Sequence, residues 1–425
     1  MLRNKLNSSG FTCRLLLSVF LFLIIISCSK NSGGGGNNNN PPPTVTAEVT
    51  IMANDSKQVI QGFGCATVFA PPDTSPLTSE EFDRLFGSNT GQVGLNVLRI
   101  RVASDDAWRA AELNHAKAAI QRGAIVIASP WSPPARMKTN NNIIGGKLIP
   151  DSAAAYAKYL NDFADYMANN GAPLYSISVQ NEPDWEPTYE GCVWTASEMT
   201  SFIKNQGAAI TATRLMAPEL VNNNQNYVGT ILSDDAAVAN LDILATHIYG
   251  GGIIDNSFAK SKNKEVWMTE HLETDITYNA NINTAIEIHD CFTKANFNAY
   301  IWWYGKRFYG MVGQDGIVTK RGYIVSQFSR FIRQGYIRLG TTEVTKGGIY
   351  ISAYKNGNKK IIVAINNRSD NVNQTIKVQD ASLGDVIPYT TTTNTNVVQG
   401  TKVSPSNNAI TFLLPAYSIT TFVEQ

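Results

Sequence analysis

The sequence predicts an α/β protein built from a (β/α)8 TIM barrel with an attached antiparallel β-sandwich domain. Three observations support this prediction. Between residues 61 and 334, eight short β-branched runs alternate with longer stretches whose apolar residues recur at helical spacing. From residue 335 to residue 425, short alternating strands rich in Thr, Val and Ile replace the helical period. Residues 45–60 alternate in the same way, so we expect them to join the sandwich although they precede the barrel.

The elements of the barrel follow in order along the chain. The predicted strands are residues 62–67, 97–102, 124–129, 174–180, 214–218, 243–248, 266–270 and 299–303. Helical patterns cover residues 79–86, 108–121, 152–169 and 196–211, with Thr78 and Asp151 as predicted caps of the first and third. An open doubly wound sheet is the alternative fold, but no G-x-G-x-x-G motif follows the first strand to support a dinucleotide site.

The predicted sandwich has a simpler pattern, in which apolar and polar residues alternate over short runs. Its strands are residues 348–354, 360–366, 374–378, 385–391 and 410–414.

The N-terminus has the pattern of a bacterial lipoprotein signal peptide. Three basic residues precede an apolar run over residues 15–26, which is too short to span a membrane. The segment Ile25-Ile26-Ser27-Cys28 resembles a lipobox, so residues 1–27 are the predicted signal peptide and Cys28 is the predicted lipidation site. Simple secretion is the alternative.

The next segment, residues 28–44, is a predicted linker rich in Gly, Asn and Pro. A tether of this composition would hold the folded part away from a membrane surface. We therefore expect the protein at the bacterial cell envelope, lipid-anchored at the outer membrane or cell surface, or else secreted.

The charge and cysteine content exclude several functions. The 425-residue chain has 35 Lys and Arg against 34 Asp and Glu, and this balance gives no positive field to attract nucleic acid. Beyond the linker, Cys65, Cys192 and Cys291 are an odd number without paired spacing, so no disulfide framework is predicted. Four scattered histidines form no zinc pattern, and we expect no metal, no cofactor and a monomer.

Two carboxylates end predicted strands that enter the same barrel mouth. Glu182 lies in Gln180-Asn181-Glu182-Pro183 after the fourth strand, and Glu270 closes Trp267-Met268-Thr269-Glu270 on the seventh. Glycosidic cleavage requires such a pair, because one group protonates the departing oxygen while the other attacks or supports the sugar carbon. Asn181 can donate a hydrogen bond to a sugar hydroxyl.

These motifs resemble glycoside hydrolase family 30, in its bacterial glucuronoxylanase and xylanase-like branch. Gln61-Gly62-Phe63-Gly64 and Ser129-Pro130-Trp131-Ser132-Pro133-Pro134 match that family as well, so the resemblance covers nearly the whole mature chain. It implies a retaining enzyme with Glu182 as the acid/base and Glu270 as the nucleophile. From the residues alone, Glu182 needs a raised pKa to act as an acid near neutral pH.

Several further residues are candidates for substrate contact. Trp131 and Trp303 are candidate stacking platforms, as are Trp185, Trp194 and Trp302, although each could instead be core. His247 and Tyr249 end the sixth strand, where we expect their polar tips to fix Glu270.

Three charged residues near the barrel mouth keep two interpretations each. Glu219 is either a third carboxylate of the cleft or a helix N-terminal charge. Arg99 or Arg101 is expected to pair with a carboxylate near the mouth or to form an ion pair of the barrel rim.

The resemblance also bears on the polymer that is cleaved. It implies that Arg307 and Tyr309 bind the carboxylate of a glucuronic acid branch on xylan. Members that recognise this branch carry a Tyr and a Ser where this sequence has Leu272 and Asp275. Leu cannot donate to a carboxylate and Asp would repel one.

We therefore expect a retaining, endo-acting hydrolase of β-1,4-xylan, such as glucuronoxylan, with a relaxed or altered branch requirement. An endo-β-1,6-glucanase or a β-xylosidase is the alternative within the same chemistry. A glycan-binding surface lipoprotein without catalysis is the alternative of another class.

Overall fold

The computed structural model describes residues 46–67, 77–105 and 108–425. Eight of the described strands close into a parallel barrel in sequence order, which confirms the predicted fold class. They are β2 (Gly62–Ala66), β3 (Val97–Val102), β4 (Ile125–Pro130), β5 (Ser176–Ser178), β6 (Arg214–Leu220), β7 (Ile243–His247), β8 (Glu265–Glu270) and β9 (Ala299–Tyr304).

Helices follow the barrel strands. Those within the described residues are α1 (Ser79–Phe86), α2 (Arg109–Ile120), α3 (Ala153–Asn169), α4 (Ala196–Gln206), α5 (Gln225–Leu232), α6 (Asp235–Asn240), α7 (Ser257–Ser261), α8 (Tyr278–Thr293) and α9 (Lys320–Ser329). Thr78 caps α1 in a capping box with Glu81, as predicted. The cap predicted at Asp151 is wrong, because a short 3-10 turn over Pro150–Ser152 precedes α3.

Apolar residues fill the lower part of the barrel interior. Val97, Ile127, Met216 and Trp267 are fully buried members of this cluster, and they close the barrel beneath its mouth. Since a packed interior leaves no pore, polar side chains at the carboxyl ends of the strands are the ones that reach the cleft.

The remaining strands form a second, nine-stranded sheet whose strands share one apolar core. They are β1 (Thr46–Val59), β10 (Ile337–Thr341), β11 (Ile349–Asn356), β12 (Lys359–Asn366), β13 (Val372–Gln379), β14 (Val386–Thr391), β15 (Val398–Gln399), β16 (Ala409–Leu414) and β17 (Ser418–Glu424). The sheet order is β15-β14-β17-β12-β11-β10-β1-β13-β16.

The first strand lies in this sheet rather than in the barrel. It pairs antiparallel with β10 and parallel with β13, so the small domain is mostly antiparallel and departs from the prediction at one pair. The sheet packs on the barrel through α8 and α9, where the Thr421 hydroxyl donates to the main-chain oxygen of Gln327 at 2.6 Å.

The predicted signal peptide, the linker and the lipidation site Cys28 lie outside the described residues. Within those that are described, no helix is both long and apolar enough to cross a membrane.

Candidate active site

The ends of β5 and β8 bring the two predicted carboxylates together. Glu270 is the last residue of β8, and Glu182 follows β5 with a left-handed backbone (φ +49°) that is uncommon for a residue with a side chain. The main-chain N–H of Glu182 donates to the main-chain oxygen of Glu219 at 2.9 Å, which helps to hold that conformation. One carboxylate oxygen of each glutamate and one ring nitrogen of His247 lie within 4.8 Å of one another.

Glu270 is held at both oxygens. Arg99 donates to Oε2 at 2.6 Å, and the Tyr249 hydroxyl donates to Oε1 at 3.0 Å. The expected contact between Tyr249 and Glu270 is therefore present. These two donors fix the carboxylate in one orientation.

Arg99, not Arg101, is the cation that pairs with the proposed nucleophile. Its side chain is fully buried and also donates to Ser129 Oγ at 3.0 Å and to Asn181 Oδ1 at 2.6 Å. Burial opposes its charge, but Glu219 and Glu270 raise the pKa of Arg99 above its usual value.

The burial of Glu219 excludes both of its predicted roles. Its carboxylate is fully buried and lies 3.1 Å from an Arg99 nitrogen, so it is neither a wall of the cleft nor an exposed helix charge.

The side-chain oxygen of Asn181 accepts a hydrogen bond from Arg99. Among the described contacts, the N–H groups of Asn181 are then the ones available to a sugar hydroxyl.

Glu182 has different partners from those of Glu270. Its Oε1 lies 3.2 Å from His247 Nδ1, and the Tyr189 hydroxyl donates to Oε2 at 3.4 Å. The expectation that His247 fixes Glu270 is therefore wrong in its hydrogen bond, because the imidazole faces the other carboxylate.

The surroundings of Glu182 do not give it the raised pKa that an acid needs near neutral pH. Burial raises the pKa of Glu182, but the hydrogen bond and charge of His247, together with Arg99, bring it below its usual value. Burial lowers the pKa of His247, whereas Glu270 and Glu182 raise it, with a net rise. Both shifts favour a protonated imidazole beside an ionised carboxylate when the pair carries one proton.

The carboxylates open into a cleft of about 460 Å³. Its lining is Trp131, Glu182, Tyr189, Glu190, Tyr249, Glu270, Leu272 and Trp303. The rings of Trp131 and Trp303 lie 5.7 Å apart, and the Arg99 guanidinium lies 4.8 Å from the Trp131 ring. The two predicted platforms therefore form one aromatic wall beside Glu270, which suits the C–H face of a sugar ring.

Other tryptophan candidates lie elsewhere. Trp194 and Trp302 are buried in the core and line no part of the cleft, because helix packing covers them. Trp185 is 54% exposed on the loop after Glu182 but is not among the cleft residues.

The predicted glucuronate readers lie beside the cleft wall rather than in it. The Arg307 guanidinium lies 4.4 Å from the ring of Tyr304, which itself contacts Trp303 with ring centroids 4.7 Å apart. Tyr309 is buried against Phe308. Packing of the guanidinium on an aromatic face explains why Arg307 does not line the cleft.

The cluster of Glu182, His247 and Glu270 also has the spacing of metal ligands. However, the Arg99 guanidinium forms an ion pair with Glu270, and a metal cation at this place would be repelled by the positive charge of Arg99. The donor set therefore suits proton and glycosyl chemistry better than metal binding.

Two cleft residues were missed by the sequence analysis. Tyr189 and Glu190 lie on the loop between β5 and α4, where no strand or helix pattern marks them. The spacing of Tyr189 from Glu182 was the available signal, but only the folded loop brings the two together.

A (β/α)8 barrel whose mouth holds two glutamates this close together is the fold and site of a retaining glycoside hydrolase. The comparisons with known proteins agree. Residues 74–273 match the glycosyl hydrolase family 30 TIM-barrel domain. The chain is 38% identical to glucuronoxylanase XynC of Bacillus subtilis (strain 168) over 391 residues, which are 89% of this chain and 92% of that protein.

Solved structures give the same result. The family 30 subfamily 8 xylanase Xyn30A of Clostridium acetobutylicum is 37% identical with a TM-score of 0.84, covering 88% of this chain and 99% of that one. The family 30 endoxylanase of Clostridium papyrosolvens C71 is 36% identical with a TM-score of 0.82, covering 89% of this chain and 100% of that one. The chain belongs to glycoside hydrolase family 30, and it is a glycoside hydrolase.

Proposed function

We propose that this protein is an endo-acting β-1,4-xylanase that hydrolyses xylan with retention of the anomeric configuration. The observation that carries the proposal is that one carboxylate oxygen of Glu182 and one of Glu270 lie within 4.8 Å of each other in one cleft. A retaining pair lies about 5–5.5 Å apart, whereas an inverting pair needs roughly 6.5–9.5 Å to admit a water molecule. The similarity to xylan-cleaving relatives over most of the chain supports the substrate.

In this mechanism Glu270 attacks the anomeric carbon while Glu182 protonates the departing oxygen. Arg99 and Tyr249 aim the Glu270 carboxylate through its two hydrogen bonds. Loss of the leaving sugar gives a glycosyl ester on Glu270. Glu182, now ionised, then removes a proton from water, which attacks the ester and frees the second product.

The proton for the first step is held by the Glu182–His247 pair. His247 Nδ1 lies 3.2 Å from Glu182 Oε1, so a proton can pass directly between the two side chains. A sugar in the cleft removes the water that stabilises ionised Glu182, which favours transfer of this proton to the carboxylate. His247 therefore acts through Glu182 and does not need to contact the substrate.

We propose a relaxed requirement for the glucuronic acid branch. Leu272 lines the cleft at a place where its side chain offers no donor to a carboxylate. Asp275 is exposed, and its carboxylate accepts from the main-chain N–H and the hydroxyl of Thr277. Arg307 packs on the Tyr304 ring and is not among the residues that line the cleft.

The test is mass analysis of products from glucuronoxylan, arabinoxylan and unbranched xylan. We expect oligosaccharides from all three, and a Glu270→Gln variant without activity on any. Glu80→Gln, which alters an exposed carboxylate on α1, is the matched control and should behave as wild type. Products from β-1,6-glucan but not from xylan would refute the substrate. Acidic products from glucuronoxylan alone would refute the relaxed branch requirement.

We also propose that Cys28 is lipidated after removal of residues 1–27, and that the protein works as a monomer at the cell envelope. The basic start, the short apolar run and the lipobox-like segment support the anchor. The cleft is complete within one chain, which supports the monomer. Expression in a bacterial host should give a membrane-bound protein that a Cys28→Ser change releases, and light scattering should give the mass of one chain.

A further inference from the structure

The loop between β5 and α4 carries Tyr189 into the cleft on a rigid base. The next residue, Glu190, is buried and forms an ion pair with buried Arg101. The residue after that, Gly191, accepts from Lys138 Nζ at 2.6 Å and donates its main-chain N–H to Ile143 at 3.0 Å. The loop is therefore tied down at two consecutive residues directly after Tyr189.

Tyr189 itself is not held by packing. Its side chain is 51% exposed and lines the cleft, and its hydroxyl reaches Oε2 of Glu182 at the long distance of 3.4 Å. A large aromatic ring that stays exposed at a cleft is available to stack on a ligand. Its orientation depends on the anchored backbone beneath it.

The contact with Glu182 identifies the side of the cleft on which Tyr189 lies. Glu182 is the group that must touch the oxygen leaving with the second sugar, whereas Glu270 touches the sugar that is retained. Tyr189 contacts Glu182. The aromatic wall of Trp131 and Trp303 instead packs on Arg99, which holds Glu270.

We propose that Tyr189 is the platform for the sugar on the leaving-group side of the scissile bond, and that the buried Arg101–Glu190 ion pair positions it. This inference rests on the proposed function, because it assigns a sugar to one end of the same cleft. Tyr189 is then a specificity-determining residue, and Arg101 and Glu190 are positioning residues that act through it.

The charge balance explains why an ion pair is used at this place. Burial raises the pKa of Glu190, and Arg101 opposes that rise. A buried carboxylate with a matched guanidinium fixes the geometry, because separating the partners would leave each charge largely shielded from water and without its counter-charge. A flexible loop would lose more entropy when the sugar binds, and preorganisation removes that cost.

The test compares two substrates that share the retained sugars. A xylo-oligosaccharide carries a sugar on the leaving-group side, whereas β-xylobiosyl fluoride carries only a fluorine atom there and has no ring that could stack on Tyr189. The informative quantity is the ratio of kcat/KM for the two. We expect Tyr189→Ala to lower this ratio about tenfold, through loss of the stacking contact. Tyr189→Phe keeps the ring and should hold the ratio within about twofold of wild type.

The positioning role has its own variants. Glu190→Ala should lower the same ratio about as much as Tyr189→Ala. The double variant should lower it no further, because both changes remove the same contact between Tyr189 and the sugar. Trp185→Ala is the matched control, since it removes another exposed aromatic ring of the loop that lies outside the cleft. It should leave the ratio unchanged.

The inference is overturned if Tyr189→Ala lowers kcat/KM equally for both substrates, or lowers neither. Additive losses in the double variant would overturn the positioning role. A failure of the proposed function looks different. If the wild-type protein cleaves a β-1,6-glucan instead of xylan, the same comparison with the oligosaccharide and the glycosyl fluoride of that glycan still tests Tyr189.

Discussion

Replacing Arg99 with methionine should destabilise the fold and inactivate the enzyme together. Arg99 is fully buried, as is Glu219, and Glu270 is nearly so. The change leaves two buried carboxylates without their cation, and breaking a buried pair in this way costs about 3–5 kcal/mol. It also removes the donors to Ser129 and Asn181, while methionine fills much of the vacated space.

Urea unfolding followed by circular dichroism measures the cost. The double variant Arg99→Met/Glu219→Gln removes one buried negative charge with the cation, so it should recover at least about 1 kcal/mol relative to the single variant. Arg368→Met removes an exposed guanidinium paired with Asp370 and should cost less than about 1 kcal/mol. The reasoning fails if Arg99→Met lies within 1 kcal/mol of wild type, or if the double variant is no more stable than the single.

Three further predictions use other parts of the molecule. His247→Asn should move the alkaline limb of the pH profile of kcat/KM to lower pH, because the Glu182 carboxyl group alone holds the catalytic proton less tightly than the Glu182–His247 pair does. An alkaline limb that does not move would contradict a proton shared by the pair. Burial lowers the pKa of His289 to about 3. The free energy of unfolding should therefore fall by about 1.4 kcal/mol per pH unit as the pH drops below about 6.5. His289→Gln should make this dependence on pH weaker when it is measured by urea unfolding. A Cβ on Gly322 would lie 2.3 Å from a main-chain oxygen, whereas one on Gly229 meets nothing within 4 Å. Gly322→Ala should therefore destabilise by about 1–3 kcal/mol and Gly229→Ala stabilise by about 0.5–1 kcal/mol, and equal signs would contradict the packing.

The sequence predicts the barrel and its two glutamates because both depend on local patterns. Strand β3 has its predicted bounds, and Glu270 ends β8 as its motif requires. The short β5 (Ser176–Ser178) is less regular than predicted, since the chain turns into the strained backbone of Glu182. The parallel pairing of β1 with β13 joins segments more than 300 residues apart and has no local signature.

Side-chain contacts were harder to predict than strand ends. An arginine near the barrel mouth was expected to meet a carboxylate, and both Arg99 and Arg101 do so, with Glu270 and Glu190 respectively. Which of the two reaches Glu270 depends on the direction of each side chain from the strand. His247 was assigned to the wrong glutamate because the two carboxylates lie so close that small differences in backbone direction decide its partner. Tyr189 depends on loop anchors that are distant in sequence.

The distance between the two carboxylates is the centre of this account, and the stereochemistry of the first-formed product tests it most directly. Proton NMR recorded during early hydrolysis of a β-xylo-oligosaccharide distinguishes the two anomers of the new reducing end before they interconvert. Carboxylate oxygens of Glu182 and Glu270 that approach within 4.8 Å predict that the β-anomer forms first. Initial formation of the α-anomer would contradict the double-displacement mechanism and the roles given to Glu182 and Glu270.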